Sequence, residues 1–204
     1  MEITIIFSIA ILVISVVLHE VAHGFTAYLL GDPTAKLAGR LTLNPVKHLD
    51  IFGSLVVPFL LSLFPGGFIV GWAKPVPYNP HMLQGGKYGP AMVAMAGPAM
   101  NFLLAIVFAF LARSSTLLEL GGISMVSLCG SIVLINIALG IFNLTPVAPF
   151  DGSKILFAFL PRSLKGVQNF LEQNQLWLVL IVILIMSSMI DSVTVMVSRF
   201  LLGA

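Results

Sequence analysis

Four stretches of the chain stay apolar for longer than a bilayer is thick, and few folds can accept that. Residues 3–30, 88–112, 122–144 and 175–202 are each long enough to cross roughly 30 Å of hydrocarbon as a helix. Inside lipid every backbone N–H and C=O must find its partner within the spanning element, which leaves helices for runs of this length. Composition agrees: of 204 residues, 58% are hydrophobic and 9% charged, and the mean hydropathy is +1.07. A soluble domain of this size could not hide so much apolar surface. The expected fold is an all-α polytopic membrane protein of about four transmembrane helices. It forms a single domain over 1–204, with its core in about 1–160 and a C-terminal transmembrane helix at about 175–202.

The connection between the first two spans reads differently. Residues 51–64 are apolar but number only 14, contain Pro58 and end at Pro65-Gly66-Gly67. That suits a re-entrant or interfacial segment, which leaves the membrane on the side it entered. Residues 37–43 alternate, with Leu37, Gly39, Leu41 and Leu43 on one side and Arg40 and Thr42 on the other, and stop at the turn Asn44-Pro45. A short membrane-associated β element is expected there. Residues 71–80 form a loop locked by Pro75, Pro77 and Pro80. Glu2 is the only charge before the first apolar run, so a cleavable signal peptide, which needs a basic start, is not expected. The lone Cys129 lies in an apolar run and reads as packing. Neither repeats nor an appended soluble domain are expected.

Into the first span the chain sets His19-Glu20-Val21-Ala22-His23. Ionisable groups in hydrocarbon cost several kcal/mol by modest estimates, so they mark functional sites by default. Residues i and i+4 share a helix face, so His19 and His23 can offer two imidazoles to one metal ion while Glu20 reaches the metal's water. This is a zinc-hydrolase arrangement, with one Zn2+ expected per chain. The bland alternative is two helix-packing histidines, with Glu20 facing a water-filled cavity.

Charge orients the bundle. The 31–89 connection carries Lys36, Arg40, Lys47, Lys74 and Lys87, and the 145–173 connection carries Lys154, Arg162 and Lys165, so eight of the ten basic residues fall on one side. By the positive-inside rule that side is cytoplasmic, and both termini lie opposite with Arg113 and Arg199. His19 comes about 16 residues into its helix, roughly 24 Å along the axis, hence near the cytoplasmic surface.

A catalytic zinc needs a third protein ligand and an open position. Asp151 leads, because Pro146 and Pro149 break the chain just before it, at the depth of His19 and His23. His48 is the rival ligand, and His81 follows Pro80 in a solvated loop. Asp151 could also cap a helix beginning near Gly152-Ser153-Lys154. Asn136 and Asn143 lie seven apart on roughly one face; Asn136 reads as structural and Asn143 as functional. Small-residue packing is the plain explanation of Gly97-Pro98. Asp191 near the far interface has no assigned role, and the methionines of 186–196 read as packing.

The chain resembles the site-2 proteases, intramembrane zinc metalloproteases, in their compact form without PDZ or CBS domains. The matching stretches are His19 to His23, Gly39-Arg40-Leu41-Thr42-Leu43-Asn44-Pro45, Gly71 to Pro80, Ala96-Gly97-Pro98-Ala99-Met100-Asn101, and Asn143 through Asp151-Gly152. One departure is Ser153, where the family usually has a second glycine after Asp-Gly. The resemblance implies a three-helix catalytic core, zinc held by His19, His23 and Asp151, and Glu20 as the catalytic carboxylate. It also implies that Asn143 and Asn101 contact substrate or an oxyanion, and that the strand near 37–43 receives an unwound substrate by edge pairing.

The expected activity is hydrolysis of peptide bonds within or near transmembrane helices of membrane-anchored substrates, in regulated intramembrane proteolysis. The expected partners are single-span membrane proteins, such as membrane-anchored regulators or signal-peptide remnants, and the lipid bilayer, with no nucleic acid. The expected location is a bacterial or archaeal cell membrane. The alternative is a metal-binding membrane scaffold or transporter. That function calls for ionisable positions continuing across the bilayer, and the helices offer only asparagines and serines.

Overall fold

The computed structural model describes residues 2–50, 53, 73–114, 119–120 and 123–203. Four helical stretches are long and apolar enough to cross a membrane, Ile6–Leu29, Gly86–Ser114, Met125–Asn143 and Gln175–Leu202, as the hydropathy pattern requires. The first lies within helix α1 (Glu2–Leu29), followed by a single turn, α2 (Thr34–Leu37). Helix α3 (Gly89–Ser114) and helix α4 (Met125–Asn143) are joined through a minimal antiparallel hairpin, β1 (Glu119–Leu120) with β2 (Ile123–Ser124), pairing Glu119 with Ser124 and Leu120 with Ile123. Then come α5 (Asp151–Phe159), α6 (Lys165–Gln173) and α7 (Gln175–Ile181). A π-helical turn (Val182–Met186) leads into α8 (Ser187–Leu202).

The packing is that of a membrane bundle: small and polar residues face inward while large aliphatics face out. On α1 the buried stripe is Ile11, Ser15, His19, His23 and Ala27, spaced by four, while Ile6, Ile9, Ile14 and Leu29 are exposed for lipid. On α3 the same spacing buries Gly89, Val93, Gly97, Asn101, Ala105 and Ala109. These short side chains let α3 lie close against α1, α4 and α5 at once. Ala105 and Ala109 meet Val133 and Ile137 of α4, with Phe102 and Val197 alongside. Gly140 rests on the Phe102 ring, 2.8 Å from where a Cβ would stand.

The strand expected over 37–43 is absent. Residues 34–37 form a helical turn instead, Gly39 takes φ +63°, and the Arg40 amide bonds back to the Ala35 carbonyl at 2.9 Å. Alternation needs a neighbouring strand to become sheet, and among the described residues none lies beside this segment; the only ladder there is β1 with β2. The expected re-entrant segment 51–64 lies almost wholly outside the described residues. The Lys74 amide donates to the His48 carbonyl at 2.8 Å, and the Gln84 amide to the Leu30 carbonyl at 2.7 Å. These bonds set residues 74–84 at the end of α1 that carries Leu30, and Asp151 follows α4 back to that end.

Candidate metal centre

His19 and His23, one turn apart on the buried face of α1, turn both Nε2 atoms toward Asp151 at the start of α5. Asp151 Oδ2 lies 3.2 Å from His19 Nε2 and 3.0 Å from His23 Nε2, and the two Nε2 atoms are 3.0 Å apart. Ligands about 2.0 Å from a tetrahedral zinc stand about 3.3 Å from each other, so these three atoms mark the corners of one face of such a site. Among the described residues, they are the group of three or more donors that could hold a metal ion.

The imidazoles are set from behind. His23 Nδ1–H donates to the Val93 carbonyl of α3 at 2.7 Å, and His19 Nδ1–H donates to Asn101 Oδ1 at 2.5 Å. With Nδ1 protonated on both rings, both Nε2 atoms keep a lone pair for metal. Asn101 Nδ2 passes the chain on to Asn136 Oδ1 at 2.9 Å, and Asn136 Nδ2 reaches Ser15 Oγ at 2.9 Å. Each polar group buried between α1, α3 and α4 therefore has a partner, as hydrocarbon demands.

Two glycines make room. A Cβ on Gly97 would overlap the Nε2 atoms of both histidines, so α3 can approach the centre only with glycine there. A Cβ on Gly152 would run into the Leu144 and Thr145 carbonyls, so the residue after Asp151 is bound to be glycine by the turn that brings Asp151 inward. Asp151 itself is the first residue of α5; Phe150 occupies the cap position, and no side chain caps this helix. Burial raises the Asp151 pKa, but the His19 and His23 imidazoles beside Oδ2 and Lys154, whose Nζ is 3.5 Å from Oδ1, outweigh it and hold the carboxyl well below the usual carboxylate range. A carboxylate that stays ionised is the form a cation needs. Two neutral imidazoles and one carboxylate, with a position left open, are the donor set of a catalytic zinc site.

Glu20, partly buried and adjacent to His19, is held by a group that sequence reasoning missed. Its Oε2 accepts the Val76 amide at 2.8 Å. Val76 packs so close to α1 that a Cβ on Gly24 would stand 2.7 Å from its Cγ1. The other expected residues divide. Asn101, for which the resemblance implies contact with substrate or an oxyanion, is fully buried behind His19 and accepts its Nδ1–H. Asn143 sits half-buried at the end of α4 with Nδ2 on the Leu139 carbonyl, 2.9 Å away. Asn136 is structural, as read. His48 is buried, with Nε2 on the Thr42 carbonyl at 2.9 Å, and stands outside the donor cluster; His81 is exposed in its loop. Ser15 was the other omission, and its position four residues before His19 on the same face was the available signal.

A histidine pair with an intervening glutamate on a spanning helix, completed by a carboxylate from a second helix, defines a membrane-embedded metallohydrolase. The comparisons with known proteins agree. Peptidase family M50 matches the chain over residues 7–120 and 115–187. YwhC of Bacillus subtilis, provisionally named a zinc metalloprotease, is 35% identical over 163 residues, covering 76% of this chain and 69% of that protein. Rip2 of Mycolicibacterium smegmatis, also provisionally named a zinc metalloprotease, is 34% identical over 105 residues, covering 49% of this chain and 37% of that protein. The zinc metalloprotease MJ0392 of Methanocaldococcus jannaschii is 28% identical over 152 residues, or 74% of this chain and 34% of that protein. No solved structure matches significantly. The chain belongs to peptidase family M50, the site-2 protease family, and is an integral-membrane zinc metalloprotease.

The outer hydrogen bonds can be weighed directly. Asn101→Leu removes the acceptor of His19 Nδ1–H and strands Asn136, so zinc affinity should fall about 10–100-fold. A chelator competition on purified protein measures it, and an unchanged affinity would show that His19 is oriented by packing alone.

Proposed function

We propose that this protease cleaves peptide bonds within or near transmembrane helices of single-span membrane proteins, with its active site toward the cytoplasmic side of a bacterial or archaeal membrane. The observation that carries the reading is the position of the donor cluster, on spanning helix α1 and less than three turns from its end at Leu29. Such a site receives substrate from the bilayer more readily than from water. Membrane-anchored regulators and signal-peptide remnants, the substrates of regulated intramembrane proteolysis, have the required form.

His19, His23 and Asp151 would hold the zinc. When bound, it supplies Lewis acidity, bringing the pKa of a water toward about 7 and polarising a carbonyl. Glu20 has one oxygen engaged by Val76, which leaves Oε1 to take a proton from the attacking water and return it to the departing amine. A peptide bond inside a helix is shielded by its own hydrogen bonds and flanking turns, so the substrate must unwind locally. Helix-weakening residues at the scissile segment should favour cleavage.

The direct test is reconstitution of the protein in lipid with single-span substrates that carry or lack a glycine or proline in the span, followed by mass spectrometry of the products. Cuts confined to soluble flanks would overturn the reading. Sidedness has its own test. In a Cys129→Ala background, Asn44→Cys and Asn79→Cys should both be protected from a membrane-impermeant thiol reagent in intact cells and labelled after the membrane is opened. Labelling of both in intact cells would place the site on the outer face.

A further inference from the structure

We infer that Arg40 is a positioning residue for Glu20, acting through the single peptide group between Pro75 and Val76; the inference rests on the proteolytic reading above. The N–H of that peptide belongs to Val76 and donates to Glu20 Oε2 at 2.8 Å. Its C=O belongs to Pro75 and accepts from Arg40 Nη2 at 3.3 Å, while the same Nη2 donates to the Lys74 carbonyl at 2.5 Å. A trans peptide points its N–H and C=O in opposite directions. The guanidinium therefore grips one edge of the plate and the carboxylate is aimed by the other.

The surroundings leave Arg40 in control of that plate. Pro75 and Pro77 fix their own φ angles and drive Lys74 and Val76 into extended conformations. The Lys74 amide is pinned to the His48 carbonyl at 2.8 Å, and the Val76 side chain is buried against Gly24 on α1. What remains free is the tilt of the Pro75–Val76 peptide, and Arg40 holds it from a site where the arginine is only 7% exposed. Burying a guanidinium to serve neutral carbonyls is costly, so a loop that needed only to be closed would have been served by an uncharged donor. Hydrogen bonds in a low-dielectric chain also polarise one another, so the charge on one edge strengthens the Val76 to Glu20 bond on the other. Glu20 has three side-chain torsions, and without a firm N–H its proton-transfer geometry is lost.

The test compares wild type, Arg40→Ala and Arg40→Lys, full length and zinc-loaded in lipid nanodiscs. Hydrogen exchange at Val76 is read first, since the flanking prolines have no amide to obscure it. In Arg40→Ala the Val76 amide should exchange at least about tenfold faster. The kcat on a cleaved membrane substrate should fall about 10–100-fold, as expected for a misplaced catalytic group. KM should stay within about twofold and zinc content should be unchanged. Arg40→Lys, which keeps a charged donor but not the planar fork, should lie between, and it decides the matter if Arg40→Ala does not accumulate. Unchanged Val76 exchange, or a kcat loss that follows lost zinc, would overturn the inference. If even the wild type cleaves nothing, the proteolytic reading fails while the exchange result still reports on the Arg40 to Val76 coupling.

Discussion

Glu20→Gln will abolish proteolysis, by about 10³-fold or more, in protein that retains its zinc. The two halves of that expectation come from different parts of the site. The ion is held by His19, His23 and Asp151, none of which the substitution touches, and the donor atoms of those three lie within 4.8 Å of one another. The amide side chain is nearly isosteric with the carboxylate, so its oxygen can still accept the Val76 N–H and α1 loses no packing. What disappears is the carboxylate next to His19 that can move a proton at the metal position, and an amide cannot replace it at any accessible pH. Metal content and cleavage should therefore separate. Equal activity in wild type and Glu20→Gln, on any membrane substrate that is cleaved, would end the protease reading. Loss of zinc with loss of activity would make Glu20 a structural support of the metal.

Much of the centre was legible because helices translate spacing into direction. Ile11, Ser15, His19, His23 and Ala27 follow one another at intervals of four on one stripe; the buried side of α1 is written in its period. Asp151 was legible for a different reason. Pro146 and Pro149 cannot continue α4, so the chain must turn at the depth that α1 reaches with His19, and Gly152 admits the tight contact with the Leu144 carbonyl. Residues 37–43 misled because alternation specifies a strand only when another strand is there to pair with, and among the described residues none lies beside them. Here Gly39 turns the chain in the left-handed region and Arg40 is drawn inward by the carbonyls of Lys74 and Pro75, thirty-odd positions away. The bond from His19 to Asn101 was not legible, because the Asn101 stripe on α3 faces His19 and Asn136 at once, a consequence of how three helices meet that no single period contains. The Val76 amide was invisible in principle, since every residue but proline carries one, although a lone N–H framed by two prolines was a hint.

His19→Ala, His23→Ala and Asp151→Ala will each strip zinc from the purified protein, while His48→Ala will leave its zinc content intact. Removing a group that only orients a ligand costs about 10–100-fold in metal affinity, and removing a ligand must exceed that, because two remaining donors cannot enclose a tetrahedral ion. Asp151→Ala is the most informative of the three. It leaves both imidazoles in place, tied to Asn101 and Val93, so the helices keep their registry and the loss can be assigned to the missing oxygen. It also frees Lys154, whose side chain is 38% exposed and can turn to solvent at little cost. His48 lies outside the cluster, with its Nε2 on Thr42 and its backbone carbonyl on Lys74. Its replacement should loosen the 40–50 turn and the 73–77 loop, lowering cleavage through Glu20 without touching the metal. Elemental analysis of the four variants, each purified in lipid, decides between the ligand sets. Full zinc in Asp151→Ala together with loss in His48→Ala would exchange their roles and require the first connection to fold over the site in a way the hydrogen bonds of His48 do not allow.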